Sequence, residues 1–138
     1  MIDDVERLLL GAMLASDARL EAEESGNNRE FRMVGDPTEG ALVVAAAKAE
    51  LDREMLRDRY ERVDEIPFDS TRKRMSTLHV EPHHEGDHVM FVKGAPDVLL
   101  DLVTHVYHDG EKMPLTPELR ERIARANREM AQQALRVL

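Results

Sequence analysis

Phe68, Lys93, Glu39 and the basic run Arg72-Lys73-Arg74 are the residues of this chain whose types and settings could do chemistry. Phe68 follows Pro67 and precedes Asp69 and Ser70. An aromatic ring at a strand end beside polar residues can stack on a purine, worth about 1–3 kcal/mol per base. Taken alone, the same ring is more simply a core residue. Lys93 ends the apolar stretch Val89 to Val92 and runs into Gly94. A lysine with a buried stem could reach an anionic phosphate while the glycine lets the ligand come close. The plainer alternative is a surface lysine at a strand end. Strand alternation sends Lys73 and Met75 to one face and Arg72 and Arg74 to the other, although such a run also fits a solvated face. Glu39, three residues after Asp36, is placed as the N3 partner of a capping box.

Several chemistries are excluded. The chain has no cysteine, so a disulfide framework, a thiol nucleophile and a thiolate zinc site are out. No GxxxxGK[ST], GxGxxG or Gly-x-Ser-x-Gly segment occurs. Lys and Arg total 19 against 28 Asp and Glu, a formal net charge of -9. That balance argues against a general nucleic-acid or anionic-membrane binder. The longest apolar run, Ala41 to Ala47, is far too short to span a bilayer. The acidic start MIDDVERLLL lacks the basic region of a secretory signal, which points to a soluble, cytosolic molecule. His79, His83, His84 and His88 resemble a metal cluster in composition, but a solvated hairpin tip explains them better.

These residues need elements to hold them. With 138 residues the length fits one domain, and a compact chain of this mass exposes roughly 7,300 Å². Apolar spacing predicts a helix over 4–17, with Asp3 or Asp4 as its cap. The polar stretch 21–29 reads as a loop and Phe31 to Val34 as a short strand. Asp36-Pro37 opens a helix running to Lys48, and Leu51 to Asp58 forms a second. Arg62 to Phe68 is extended, Met75 to Val80 and Val89 to Val92 are strands, and 82–87 is their connecting loop. Pro96 opens a helix to about Val103, and a hairpin turns at Asp109-Gly110. Thr116-Pro117 starts a helix to about 132 with Leu119, Ile123, Ala126 and Met130 on one face. Leu135 to Leu138 reads as a strand. Hairpins outnumber strand–helix–strand crossovers, so the fold class is α+β: a twisted antiparallel sheet flanked by helices.

Three segments, Gly35-Asp36-Pro37-Thr38-Glu39, Pro67-Phe68-Asp69-Ser70-Thr71-Arg72-Lys73-Arg74-Met75 and Lys93-Gly94-Ala95-Pro96-Asp97, stand in this order. Together they resemble the nucleotide-binding (N) domain of P-type cation-transporting ATPases, closest to the calcium-pump-like branch. The resemblance runs end to end, closing on Ala134 to Leu138. It implies a module that binds ATP, taken as Mg-ATP in the parent protein. It assigns Phe68 to the adenine ring, Glu39 to the adenine amino group, Met75 to the base, and Lys73 to the phosphates. Lys93 and Gly94 fall deep in the pocket, and Arg136 offers a planar fork to the polyphosphate. Ser70 is counted among the nucleotide-binding residues, although some members carry arginine there, and Asp97 stands where Glu is commoner. Residues 1–138 then form a single domain excised from a larger membrane pump, since no DKTGT segment and no membrane helix is present.

The resemblance also implies phosphorylation and actuator domains of the same parent chain as partners, and a cytoplasmic position. It implies no nucleic acid, no direct membrane contact and a monomeric isolated domain. A non-enzymatic α+β interaction module without a nucleotide is the alternative, using Phe68 and Met75 as core. A stand-alone kinase or hydrolase lacks a base, nucleophile or metal cluster beside the proposed phosphate residues.

Overall fold

The computed structural model describes residues 4–25 and 28–138. Helix α1 (Asp4–Leu14) leads into strands β1 (Arg19–Ser25) and β2 (Asn28–Val34). Helices α2 (Pro37–Lys48) and α3 (Arg53–Arg59) follow, then β3 (Arg62–Asp69), β4 (Arg74–Val80) and β5 (His88–Gly94). The chain continues through α4 (Pro96–Leu100), β6 (His105–His108), β7 (Glu111–Pro114) and α5 (Pro117–Gln132). All strand pairs are antiparallel: β1 with β2, β3-β4-β5 in that order, and β6 with β7. This is the α+β class read from the sequence.

Helix starts follow from their caps. The Asp36 carboxylate accepts from the Thr38 and Glu39 N–H groups, with Pro37 at the first turn. Thr116 caps Leu119 and Asp52 caps Met55 in the same manner. Helix α1 stops at Leu14, short of residue 17, because Arg62 takes the Leu14 carbonyl and the Ser16 hydroxyl donates back to Ala12. Asp3 lies outside the described residues, and the Asp4 carboxylate accepts from Gly110 N–H at 3.1 Å. Helix α4 ends at Leu100 rather than Val103, since the Thr104 carbonyl is drawn into the β6–β7 hairpin by Leu115 N–H at 2.9 Å.

Two further expectations fail. The loop expected over 21–29 is replaced by strand at 21–25 and 28–29, where β1 and β2 pair from Arg19↔Val34 to Ser25↔Asn28; Gly26 and Asn27 lie outside the described residues. The apolar alternation that marks the ribbon is short, confined to the pairs Leu20↔Met33 and Ala22↔Phe31. Leu135 to Leu138 is not a strand, for it finds no ladder partner among the described residues.

The core forms where α1, α2 and α3 meet one face of the β3-β4-β5 sheet. Leu10, Met13, Leu14, Ala18, Val43, Ala46, Leu56 and Tyr60 are buried there, with Val89 and Phe91 of β5 packed against them. Central β4 is the buried strand, carrying Met75, Ser76, Thr77 and His79. His79 is sealed between Tyr60 O and Thr77 Oγ1, both 2.9 Å away, with its ring edge-on to Phe91.

Candidate functional site

The chain segments around the site are shaped by one bulge and one close approach. Ile66 pairs with Ser76 and Asp69 with Arg74, and the register shifts between them. Pro67 has no N–H for the ladder, so β3 leaves its partner there and Phe68 turns outward. Past the strand, the Asp69 carboxylate accepts from Thr71 and Arg72 N–H, both at 2.9 Å, which holds its pKa below the usual carboxylate range. Lys73 N–H donates to Asp69 O at 2.7 Å, closing the turn with Lys73 in the left-handed region at φ 53. Gly94 packs on that turn. A Cβ there would meet the Lys73 carbonyl and lie 2.7 Å from Arg74 Cβ. The glycine is therefore required by the chain's own turn, and Ala95 N–H fastens the junction to Lys73 O at 3.1 Å.

On the opposite side, Glu39 sits in the first turn of α2. The expected reciprocal capping bond is not what its carboxylate makes. Oε2 accepts from Asp17 N–H at 2.9 Å and Ala18 N–H at 3.2 Å, while Oε1 is ion-paired with Lys93 Nζ. The reason is electrostatic: a cation and two convergent amides outcompete one backbone N–H. The pair is largely enclosed, with side chains 16% and 15% exposed.

Between these walls lies a cleft of about 600 Å³. Glu39, Phe68, Lys73, Met75, Lys93, Gly94 and Arg136 all line it; Ser70, an exposed residue of the turn, does not. Phe68 is 65% exposed, so it is not core, whereas Met75 is 4% exposed and closes the cleft floor. Lys73 and Met75 share the cleft, but Lys73 belongs to the turn, so strand alternation is not the cause. Arg72 points elsewhere, donating to Ser76 Oγ at 3.0 Å. Lys73 has no carboxylate partner among the described residues. No group of His, Cys, Asp or Glu fit to hold a metal occurs among the described residues, and His83 instead meets Arg59.

Of the cleft lining, Asp17 alone falls outside the segments singled out in the sequence. Asp17 is brought in by the α1–β1 connection, a tertiary event with no local signal. Gly35 is the nearest hint: its φ is +122 and a Cβ there would lie 2.9 Å from Ala18 Cα, so the β2–α2 corner presses on that connection.

An exposed aromatic, an enclosed Lys–Glu pair and a lysine without a carboxylate partner among the described residues thus meet around one cleft of an α+β module. The family model described as "P-type ATPase, cytoplasmic domain N" matches residues 4–138. The chain belongs to that family. It is 40% identical over 133 residues to "Calcium-transporting ATPase 1" of Lactococcus lactis, covering 96% of this chain and 14% of that protein. It is 41% identical to "Calcium-transporting ATPase 1" of Bacillus cereus over 99% of this chain and 14% of the relative. It is 39% identical to "Probable cation-transporting ATPase F" of Mycobacterium tuberculosis over 94% of this chain and 13% of that one. The chain thus spans about one-seventh of the length of these relatives. No helix of the described residues is long and apolar enough to cross a membrane.

Proposed function

We propose that the cleft holds an adenine nucleotide, and that residues 1–138 form one nucleotide-binding domain of a larger cation-transporting pump. Phe68 stacks on the base over Met75. Glu39 accepts from the adenine amino group while Lys93, held beside it, donates to the neighbouring ring nitrogen. An acceptor next to a donor matches the amino-and-nitrogen edge of adenine and opposes that of guanine, whose carbonyl would face the carboxylate. Lys73 and Arg136 face the phosphates. Lys93 therefore works at the base end rather than on the phosphates. The terminal phosphate of Mg-ATP passes to an aspartate in another domain of the parent, and the relatives' names make calcium the first ion to test.

The observation that carries this reading is the exposure of Phe68 inside a cleft that also contains the Glu39–Lys93 pair and Lys73. A ring left 65% exposed contributes little to the fold and is available to a ligand. Titration of ATP into labelled protein tests it through backbone amide shifts. Wild type should bind with an affinity of order 1 mM, about −4 kcal/mol. Phe68→Ala should bind markedly more weakly with the rest of the spectrum unchanged. Equal affinity in both proteins would remove the assignment.

A further inference from the structure

The Glu39 carboxylate is aimed by a segment that is itself held from behind. Arg62, the first residue of β3, is 16% exposed at its side chain and crosses to the connection between α1 and β1. Its Nη2 donates to Leu14 O at 2.6 Å and Ser16 O at 3.3 Å, and its Nη1 to Asp17 Oδ1 at 2.7 Å. Arg53 adds longer contacts to Ser16 O at 3.4 Å and Asp17 O at 3.5 Å. Ser16 C=O and Asp17 N–H belong to one trans peptide plane, in which carbonyl and amide point in opposite directions. Pinning the oxygen on the arginine side therefore turns the Asp17 N–H toward Glu39. The next plane repeats this arrangement, with Asp17 C=O toward Arg53 and Ala18 N–H toward Glu39 Oε2.

We infer that Arg62 is a positioning residue for Glu39, acting through the Leu14–Ala18 segment; the nucleotide readout of this rests on the reading proposed above. Among the described residues, Asp17 is the one cleft-lining group that Arg62 hydrogen-bonds, its other side-chain partner being Glu65 Oε2 at 2.8 Å. Its Nε is buried without a partner among the described residues, a cost the fold tolerates while both Nη groups are engaged.

The test compares Arg62→Gln, Arg62→Lys, Glu39→Ala and the double variant Arg62→Gln/Glu39→Ala. Leu56→Ala serves as a control that loosens the core shared with Leu14 and Ala18 without removing any side-chain hydrogen bond to the segment. Arg62→Gln is expected to weaken ATP binding about tenfold and to shrink the preference for ATP over GTP, with Arg62→Lys in between. In the Glu39→Ala background the same change should have almost no further effect, because the group it positions is gone. Leu56→Ala should lower the melting temperature and leave the ATP-to-GTP ratio alone.

Amide hydrogen exchange supplies a readout that needs no nucleotide. Asp17 and Ala18 amides should exchange about tenfold faster in Arg62→Gln, or in Arg62→Lys should the glutamine variant not fold. If Glu39→Ala leaves ATP binding unchanged, the nucleotide reading fails and the exchange rates still decide the role of Arg62. If Glu39→Ala weakens binding while Arg62→Gln spares the ATP-to-GTP ratio or adds in full, the inference is overturned. Unchanged exchange at Asp17 and Ala18 overturns it as well.

Discussion

At Phe68, exposure and chemistry meet. Truncating a ring that stacks on a base removes about 1–3 kcal/mol, so Phe68→Ala should weaken ATP roughly 5- to 150-fold and leave the melting temperature nearly unchanged. Differential scanning fluorimetry beside the titration separates the two effects. Lys93 behaves differently. Its amine neutralises Glu39 in a largely enclosed place, so Lys93→Ala orphans a carboxylate as well as losing a ligand contact. It should cost about 2 kcal/mol of stability, less than the 3–5 kcal/mol of a fully buried pair, in a urea melt. A stable Lys93→Ala protein with unchanged ATP affinity would contradict the role given to the pair. Glu39 was legible from its position after Asp36 and Pro37, yet its bonding was not. Its partners come from 54 residues away at Lys93 and 22 and 21 away at Asp17 and Ala18, and local spacing carries no record of them.

Among the elements, the turn after β3 sets the site. Asp69 holds Thr71 and Arg72 amides and so fixes Lys73 at positive φ, while Gly94 fits against the Lys73 carbonyl. Gly94→Ala should push that turn away. We expect it to lower both stability and ATP affinity, whereas Ser70→Ala, outside the cleft, should alter neither; an ATP titration of the two variants checks this. Helices with Asp-Pro or Thr-Pro starts were readable because capping and proline φ are local properties. Strand β5 was readable from its apolar run Val89 to Val92, but its alternating burial was not, because residues of both faces are apolar there. The β1–β2 ribbon was not, since its apolar face is only two cross-strand pairs long, Leu20↔Met33 and Ala22↔Phe31. The tail was not either: Leu135 to Leu138 has strand composition, but a strand exists only with a partner.

For the molecule as a whole, two numbers matter. Its accessible surface is 9897 Å², against roughly 7,300 Å² for a compact chain of this mass. A fold that leaves this much surface outside has a thin stability margin, so ligand binding should be easy to detect. ATP at about ten times its Kd should add about 1.4 kcal/mol and raise Tm by about 5 °C. The second number is the ordinary pKa of histidine, 6.5, below which His79 is held by burial, with the Arg62 and Arg57 charges adding to the effect. The folded state keeps His79 neutral, so the unfolded chain binds more protons once pH drops under about 6.5. Stability should therefore be complete above that pH and fall as acid is added, by up to about 1.4 kcal/mol per pH unit until the folded-state pKa is reached. Urea melts of wild type and His79→Asn between pH 7 and pH 5 should show the slope only in wild type, and equal slopes would contradict it.

The most direct test of the adenine cleft is the set of intermolecular nuclear Overhauser effects from the base protons of bound ATP. They should reach the Phe68 ring and the Met75 methyl, and AMP should give the same pattern at nearly the same affinity because the base supplies most of the contacts. Base-proton contacts to side chains outside the cleft, with Phe68 silent, would contradict the account.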